Sequence, residues 1–349
     1  MRFSPDKWAV VGFNDDTGLG RQACDLARIL RLGVHLVKPS EKLVTKASEG
    51  PEILIDDSVS DEYLRDVISK LEGLIFLESP FSQLRVLKTA RELRKKTVLV
   101  PNWEWFPGIR RTICRHFDLF VCPTAYTELW VRRFGYRNTC YACPAVDVSQ
   151  LDFKERNGKP TTFVHNAGVI GRNDRKNTQI VTQAFAQRKT ADCRLVLNAQ
   201  VPAAVLLKVP HDLGIEIRIG NVIEHKDLYT GADVCLQPSR LEGIGFQILE
   251  ALLSGLPVIT TDYPPMNEFV VDSRLLVKCL PGFTLPKPVN FSVLQSHLKN
   301  VSAEQLSRSI DAISNIDLSE FSETIHSVRD RLSPQNVCGS WEQAISTHL

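Results

Sequence analysis

The chain has 349 residues, of which 43% are hydrophobic and 23% charged, with a formal net charge of +2. That is the composition of a globular protein long enough for two domains, and such balanced charge excludes a general drive toward nucleic acid or anionic membrane. The opening residues lack the order of a signal peptide and no apolar run approaches the ~20 residues of a membrane span, which predicts a cytoplasmic protein.

In the first half, "WAVVGF", "VHLV", "EILID", "GLIFL", "TVLVP", "DLFVC" and "TCYAC" read as strands, with helices over Gly20–Leu32, Asp61–Leu71, Ser82–Lys96 and Ala125–Phe134 between them. This alternation is the βαβ pattern of a parallel sheet. After the first strand, Gly18 and Gly20 in "TGLGRQACDLARIL" form a turn that can bring backbone amides close to phosphate, while Gly12 stands too far away for a dinucleotide fingerprint. After "TVLVP", the segment "NWEWFPG" holds Trp103, Glu104 and Trp105, which read either as a sugar platform with a carboxylate handle or as a packed aromatic loop. Three basic clusters, Arg91–Lys96, Arg110–Arg115 and Arg132–Arg137, read more readily as solvated helix faces than as a binding patch. The nine cysteines fall mostly in apolar segments, as buried thiols of a reducing compartment do. Cys140 and Cys143 form a C-x-x-C, but no second pair or His cluster follows at zinc spacing, so no metal site is expected.

The polar stretch "LDFKERNGKP" (Leu151–Pro160) reads as a linker, and a second strand series follows: "TTFVHN", "CRLVLN", "IEIRI", "DVCLQ", "LPVIT" and "RLLVK". From about Pro281 the strands give way to three or four helical stretches running to Leu349. Two doubly wound units are expected, over residues 1–152 and 160–330, with 331–349 as a final helix. Open α/β sheets bind ligands outside the carboxyl ends of their strands, and two such sheets would face each other across a cleft.

The segment "EGIGFQILEALLSG" (Glu242–Gly255) carries Glu250 inside an apolar helix and Glu242 just before two glycines. A buried carboxylate is costly unless paired. Gly243 and Gly245 clear the turn so that the amides of Gly243, Ile244, Gly245 and Phe246 can approach an anion, which the helix dipole favours. Helix side chains lean toward the amino end, so Glu250 can reach back toward hydroxyl donors of a ribose while Glu242 lies beyond the phosphates. A buried, locally paired Glu250 and a loop Glu242 are the plainer alternative. A second segment, "HNAGVIGRNDRKNTQIVTQAF" (His165–Phe185), opens the first helix of the second unit and gathers Arg172, Arg175 and Lys176, which suit phosphate oxygens.

Together these segments resemble the retaining GT-B glycosyltransferases of glycosyltransferase family 4. "ADVCLQPSRLEGIGFQILEALLSGLPVITTD" is similar to that family's signature almost throughout, and the likeness extends back through "RKN" and on to Glu268 in "PPMNEF". In the first half it is carried by "TGLGRQACDLARIL" and by "FDLFVCPTAYTELW" followed by "CPAVD". The resemblance implies a GT-B α/β fold of two Rossmann-like domains, the first binding an acceptor and the second a nucleotide sugar, with the last helix packing back on the first domain.

It further implies metal-independent transfer of a sugar from a nucleoside diphosphate sugar, UDP- or GDP-linked, to an acceptor hydroxyl with retention, and no cofactor besides that donor. Glu250 would bind the ribose, Glu242 would face the sugar, and Lys176 with Arg172 or Arg175 would neutralise the departing diphosphate. The backbone at Asn221–Val222 would hold the base. Whether Glu242 positions the sugar or does more stays open. Many relatives place a His near the end of a first-domain strand; here that segment is "NWEWFPG", and His165 is the one histidine beside the phosphate site. Glycan, lipid-linked or other hydroxyl acceptors fit, and the basic clusters are compatible with contact at a membrane's inner face. Two rival readings are a transferase acting on nucleic acid through those clusters and a non-catalytic GT-B module that binds a glycan or partner.

Overall fold

Parallel strands covered on both faces need continuous apolar runs, and the quoted runs supply them: the strand over Gly73–Leu77 is buried at every position. The computed structural model describes residues 3–13, 18–38, 52–55, 58–78, 83–106, 111–170, 174–202, 213–222, 224–280 and 298–349. Its contacts divide the chain into unit 1, Met1–Asp147 with Arg331–Leu349, and unit 2, Val148–Asp330.

In chain order, unit 1 contains β1 (Trp8–Phe13), α1 (Gly18–Leu30), β2 (Val34–Lys38), β3 (Glu52–Leu54), α2 (Asp61–Ser69), β4 (Gly73–Leu77), α3 (Leu84–Glu92), β5 (Lys96–Val100), α4 (Arg111–Cys114), β6 (Leu119–Cys122), α5 (Ala125–Arg133) and β7 (Thr139–Tyr141). The parallel sheet runs β3-β2-β1-β4-β5-β6-β7. A core of Leu64, Ile68, Leu74, Phe76, Leu99 and Phe120 lies against one face. The helix predicted to run to Lys96 stops at Glu92 because Arg94 turns left-handed (φ 55°) and Lys95 N donates back to Ala90 O.

Unit 2 contains β8 (Thr162–Gly168), α6 (Thr178–Gln187), β9 (Arg194–Ala199), β10 (Ile215–Ile219), β11 (Val234–Gln237), α7 (Phe246–Leu253), β12 (Val258–Asp262), β13 (Leu276–Lys278), α8 (Ala303–Ile313) and α9 (Ser322–Arg331). Its parallel sheet runs β10-β9-β8-β11-β12-β13. Edge strand β10 alternates Ile with Glu216 and Arg218, and charge on an edge discourages pairing with other chains.

The polar stretch read as a linker is bound into unit 2: Lys154 N donates to Ser254 O at 3.3 Å and Arg156 Nε to Ala232 O at 2.9 Å. The last helix, α10 (Pro334–His348), belongs to unit 1, where Trp341 Nε1 donates to Cys143 O and Cys338 Sγ to Ile29 O, both at 3.0 Å. All nine cysteines are free thiols, and burial pushes Cys140 up to about 11 and Cys235 up to about 12.

Candidate functional site

The strand order of unit 2 reverses between β8 and β11, and a reversal of this kind opens the crevice where α/β sheets hold ligands. The segments leaving those two strands are laced together. Arg240 N donates to Arg175 O at 2.8 Å, Asn177 Nδ2 to Pro238 O at 3.0 Å, and Arg175 Nη2 to Leu241 O at 3.3 Å. At the end of the lacing, Lys176 Nζ donates to Glu242 Oε1 at 2.5 Å.

Local chemistry shapes the first segment. Asp174 and Asn177 have left-handed backbones (φ 38° and 62°), a conformation that Asp and Asn tolerate better than other side-chain-bearing residues. The Asp174 carboxylate accepts from Thr178 N and Gln179 N, both at 2.9 Å, and so occupies the amino end of α6. That end is closed by the protein's own anion, which leaves the cations of Arg175 and Lys176 as what this segment offers. Arg172 lies outside the described residues.

The second segment delivers Glu242 and the glycine turn. Gly245 is left-handed (φ 91°), and a Cβ there would lie 3.3 Å from Ile248 Cδ1, so glycine is required. Ile248 N and Leu249 N both reach Gly245 O, at 2.9 and 3.2 Å, so the amides of Gly245 and Phe246 fall among the donors that a helix leaves unused at its start, and Gly243 and Ile244 directly precede them. Glu242 is 5% exposed. Burial pushes its carboxyl up, but the charges of Lys176 and Arg175, and hydrogen bonds from Lys176 and Ser239, outweigh that and hold it below its ordinary 4.5. Glu242 is therefore a carboxylate at neutral pH, paired with a cation and directly preceding the glycine turn.

Glu250 is 2% exposed, and the protein itself supplies its partners: Tyr229 Oη donates to Oε2 at 2.7 Å, and His225 Nε2 lies 2.9 Å from Oε1. Asn221 accepts from Gln200 Nε2 through Oδ1 at 3.1 Å, at the carboxyl end of β10, and half-buried Val222 follows it.

His165 differs from the expectation of a ligand contact. It is fully buried, with Nδ1 2.7 Å from Leu236 O and Nε2 3.0 Å from Thr178 Oγ1. A neutral ring protonated on Nδ1 serves both, donating to the carbonyl and accepting from the hydroxyl. Burial pushes its pKa from 6.5 down to about 4. His165 is a brace joining β8, β11 and α6.

The remaining expected residues lie in unit 1. Trp103 is 3% exposed, its ring stacked on Trp130 at 5.9 Å and edge-on to Tyr126 at 5.0 Å, so it is an aromatic core residue and not an open platform. Glu104 is also buried. Gly18 opens α1 with free space where a Cβ would stand, and Gly20 is buried two positions on.

Sequence reading missed Ser239, Asp174, Asn177, Tyr229 and His225. Ser239 and Asn177 sat inside quoted motifs without a role. Tyr229 and His225 sit in a short connection with no periodicity, and only the fold brings them to Glu250.

Residues 164–282 match the profile of the family Glycosyl transferases group 1. The chain is 29% identical over 121 residues to the UDP-N-acetylglucosamine–peptide N-acetylglucosaminyltransferase GtfA subunit of Limosilactobacillus reuteri, covering 34% of this chain and 22% of that protein. It is 30% identical over 120 residues to the lipopolysaccharide core biosynthesis mannosyltransferase LpsB of Rhizobium meliloti, covering 29% of this chain and 34% of that protein. The matches thus span about a fifth to a third of these relatives' lengths. The structure of Anabaena Alr3699/HepE in complex with UDP and glucose superimposes with a TM-score of 0.73 at 12% identity, over 97% of this chain and 99% of that one. Residues 164–282 thus resemble a Glycosyl transferases group 1 domain, carried in a chain with the GT-B fold of two parallel-sheet, Rossmann-like units.

Proposed function

We propose that the chain is a retaining, metal-independent hexosyltransferase of the family 4 type, moving a sugar from a nucleoside diphosphate sugar to an acceptor hydroxyl. The observation that carries this reading is the pairing of Lys176 with Glu242 beside the Gly243–Phe246 turn, at the reversal of the unit 2 sheet. UDP is the proposed nucleotide, with GDP as the alternative, because one relative is named for UDP-N-acetylglucosamine and one structural neighbour holds UDP and glucose.

In the proposed reaction the bond from the anomeric carbon to the diphosphate oxygen breaks and the bond to the acceptor oxygen forms on the same face. The acceptor proton passes to the departing diphosphate. Negative charge grows on that diphosphate, and Lys176, Arg175 and the turn amides stabilise it where it develops, so the reaction needs no metal for that task. Glu242 faces the donor sugar and Glu250 the ribose. The acceptor, a glycan, a lipid-linked sugar or another hydroxyl, is assigned to unit 1, on the cytoplasmic side of any membrane that carries it.

A thermal-shift panel of UDP-, GDP- and ADP-sugars identifies the donor, since a ligand of the folded state raises its melting point. Transfer by the chosen donor should then give a product with the donor's anomeric configuration. A chain that binds none of these donors, or one that inverts the configuration, contradicts the proposal.

A further inference from the structure

A buried carboxylate offers about four lone-pair positions on two oxygens, and what the protein takes decides what a ligand can reach. The residues around Glu250 come from the connection between β10 and β11, where a short helix, His225–Leu228, is fixed by reciprocal capping between Glu224 and Asp227 and leads into Tyr229. Tyr229 is 2% exposed. Burial, and then the charge of Glu250, push its hydroxyl well above the ordinary value of 10, so it remains a proton donor. Behind it lies Asn166 of β8, whose Oδ1 accepts from Asn198 Nδ2 of β9 at 2.8 Å. The Tyr229 contact is therefore backed by two strands. The His225 contact is weaker: Nε2 sits 2.9 Å from Oε1 but off the hydrogen-bonding line, on a half-buried ring.

We propose that Tyr229 is a positioning residue for the ribose subsite, holding Oε2 of Glu250 permanently, while His225 only covers Oε1 until a vicinal diol displaces it. This rests on the donor-site reading of Glu250. One carboxylate oxygen is locked by a buried phenol, the other is exchangeable, and the ligand that best takes it is a pair of adjacent hydroxyls able to donate in line.

The test is direct titration of the full-length protein with UDP and with 2′,3′-dideoxy-UDP. Wild type should prefer UDP. Tyr229→Phe keeps the ring and should weaken UDP by about ten-fold, the scale of a lost hydrogen bond to a charged group, while barely changing the dideoxy compound. With a sugar donor its KM should rise while kcat holds. Glu250→Gln should lose the same preference, and the double variant should lose no more, as expected of residues acting as one unit. His225→Ala should bind UDP at least as tightly as wild type, with the preference intact. Undiminished preference in Tyr229→Phe, or its loss in His225→Ala, overturns the inference alone. Failure of wild type to bind UDP, GDP or ADP overturns the donor-site reading itself. If Tyr229→Phe fails to fold, the Glu250→Gln and His225→Ala titrations decide.

Discussion

On the proposed reading, Lys176 serves two anions in turn. In this structure it neutralises Glu242 at 2.5 Å; in the proposed reaction the diphosphate would compete for the same ammonium and Glu242 would turn to the sugar. The roles of the two acids then separate kinetically. Glu242→Ala should lower kcat by about 10²–10³-fold with little change in donor KM, the scale of losing one well-placed transition-state group. Glu250→Ala should chiefly raise donor KM. Steady-state kinetics against donor concentration check both, and a Glu242→Ala variant affected only in KM would contradict the assignment. His165 gives a test on stability. Its native pKa of about 4 lies below the unfolded 6.5, so the unfolded chain takes the proton first, and stability present above pH 6.5 is lost as the pH falls toward 4. At about 1.4 kcal/mol per unit, that loss is about 3 kcal/mol for so deeply buried a ring. Urea unfolding at pH 7 and pH 4.5 should show a smaller acid loss in His165→Gln than in wild type; equal losses would contradict the brace.

Among the elements, α7 and the turn before it do most to place the site. Gly245→Ala must adopt a left-handed backbone and press on Ile248, which should cost about 1–2 kcal/mol and shift the amides proposed to face the donor phosphates. Thermal unfolding and donor KM should both worsen; an unchanged KM would show that the turn does not hold phosphate. This turn was legible in the sequence because two glycines after a Pro-Ser strand end leave few conformations open, and the apolar runs made most strands legible for a similar reason. What was not legible depended on contacts across the sheet. His165 looked like a residue near chemistry because it borders the cationic loop, yet β8 is buried on both faces and the ring is held inside by Leu236 O and Thr178 Oγ1. Trp103 looked like a sugar platform until Trp130 and Tyr126, from α5, covered its faces. Tyr229 and His225 reach Glu250 only because the β10–β11 connection passes over α7, which no local pattern announces.

The two units divide the labour unequally in what they display. Unit 2 brings the residues proposed to meet the nucleotide together within itself, and so its reading rests on distances. Unit 1 displays basic clusters whose members are partly spoken for: Arg91 pairs with Asp118 at 3.0 Å, Arg132 with Glu128 at 2.8 Å, and Arg133 covers Trp130. Local pairing of this kind removes charge from a nucleic-acid surface. Among the described residues no helix is long and apolar enough to cross a membrane. The measurement that reaches the central claim most directly is nucleoside diphosphate release from UDP-sugars by the full-length chain, compared with Lys176→Ala. The account predicts release with transfer by wild type and a rate lower by about 10²-fold or more in the variant; wild type that uses no nucleoside diphosphate sugar, or a variant as fast as wild type, would contradict it.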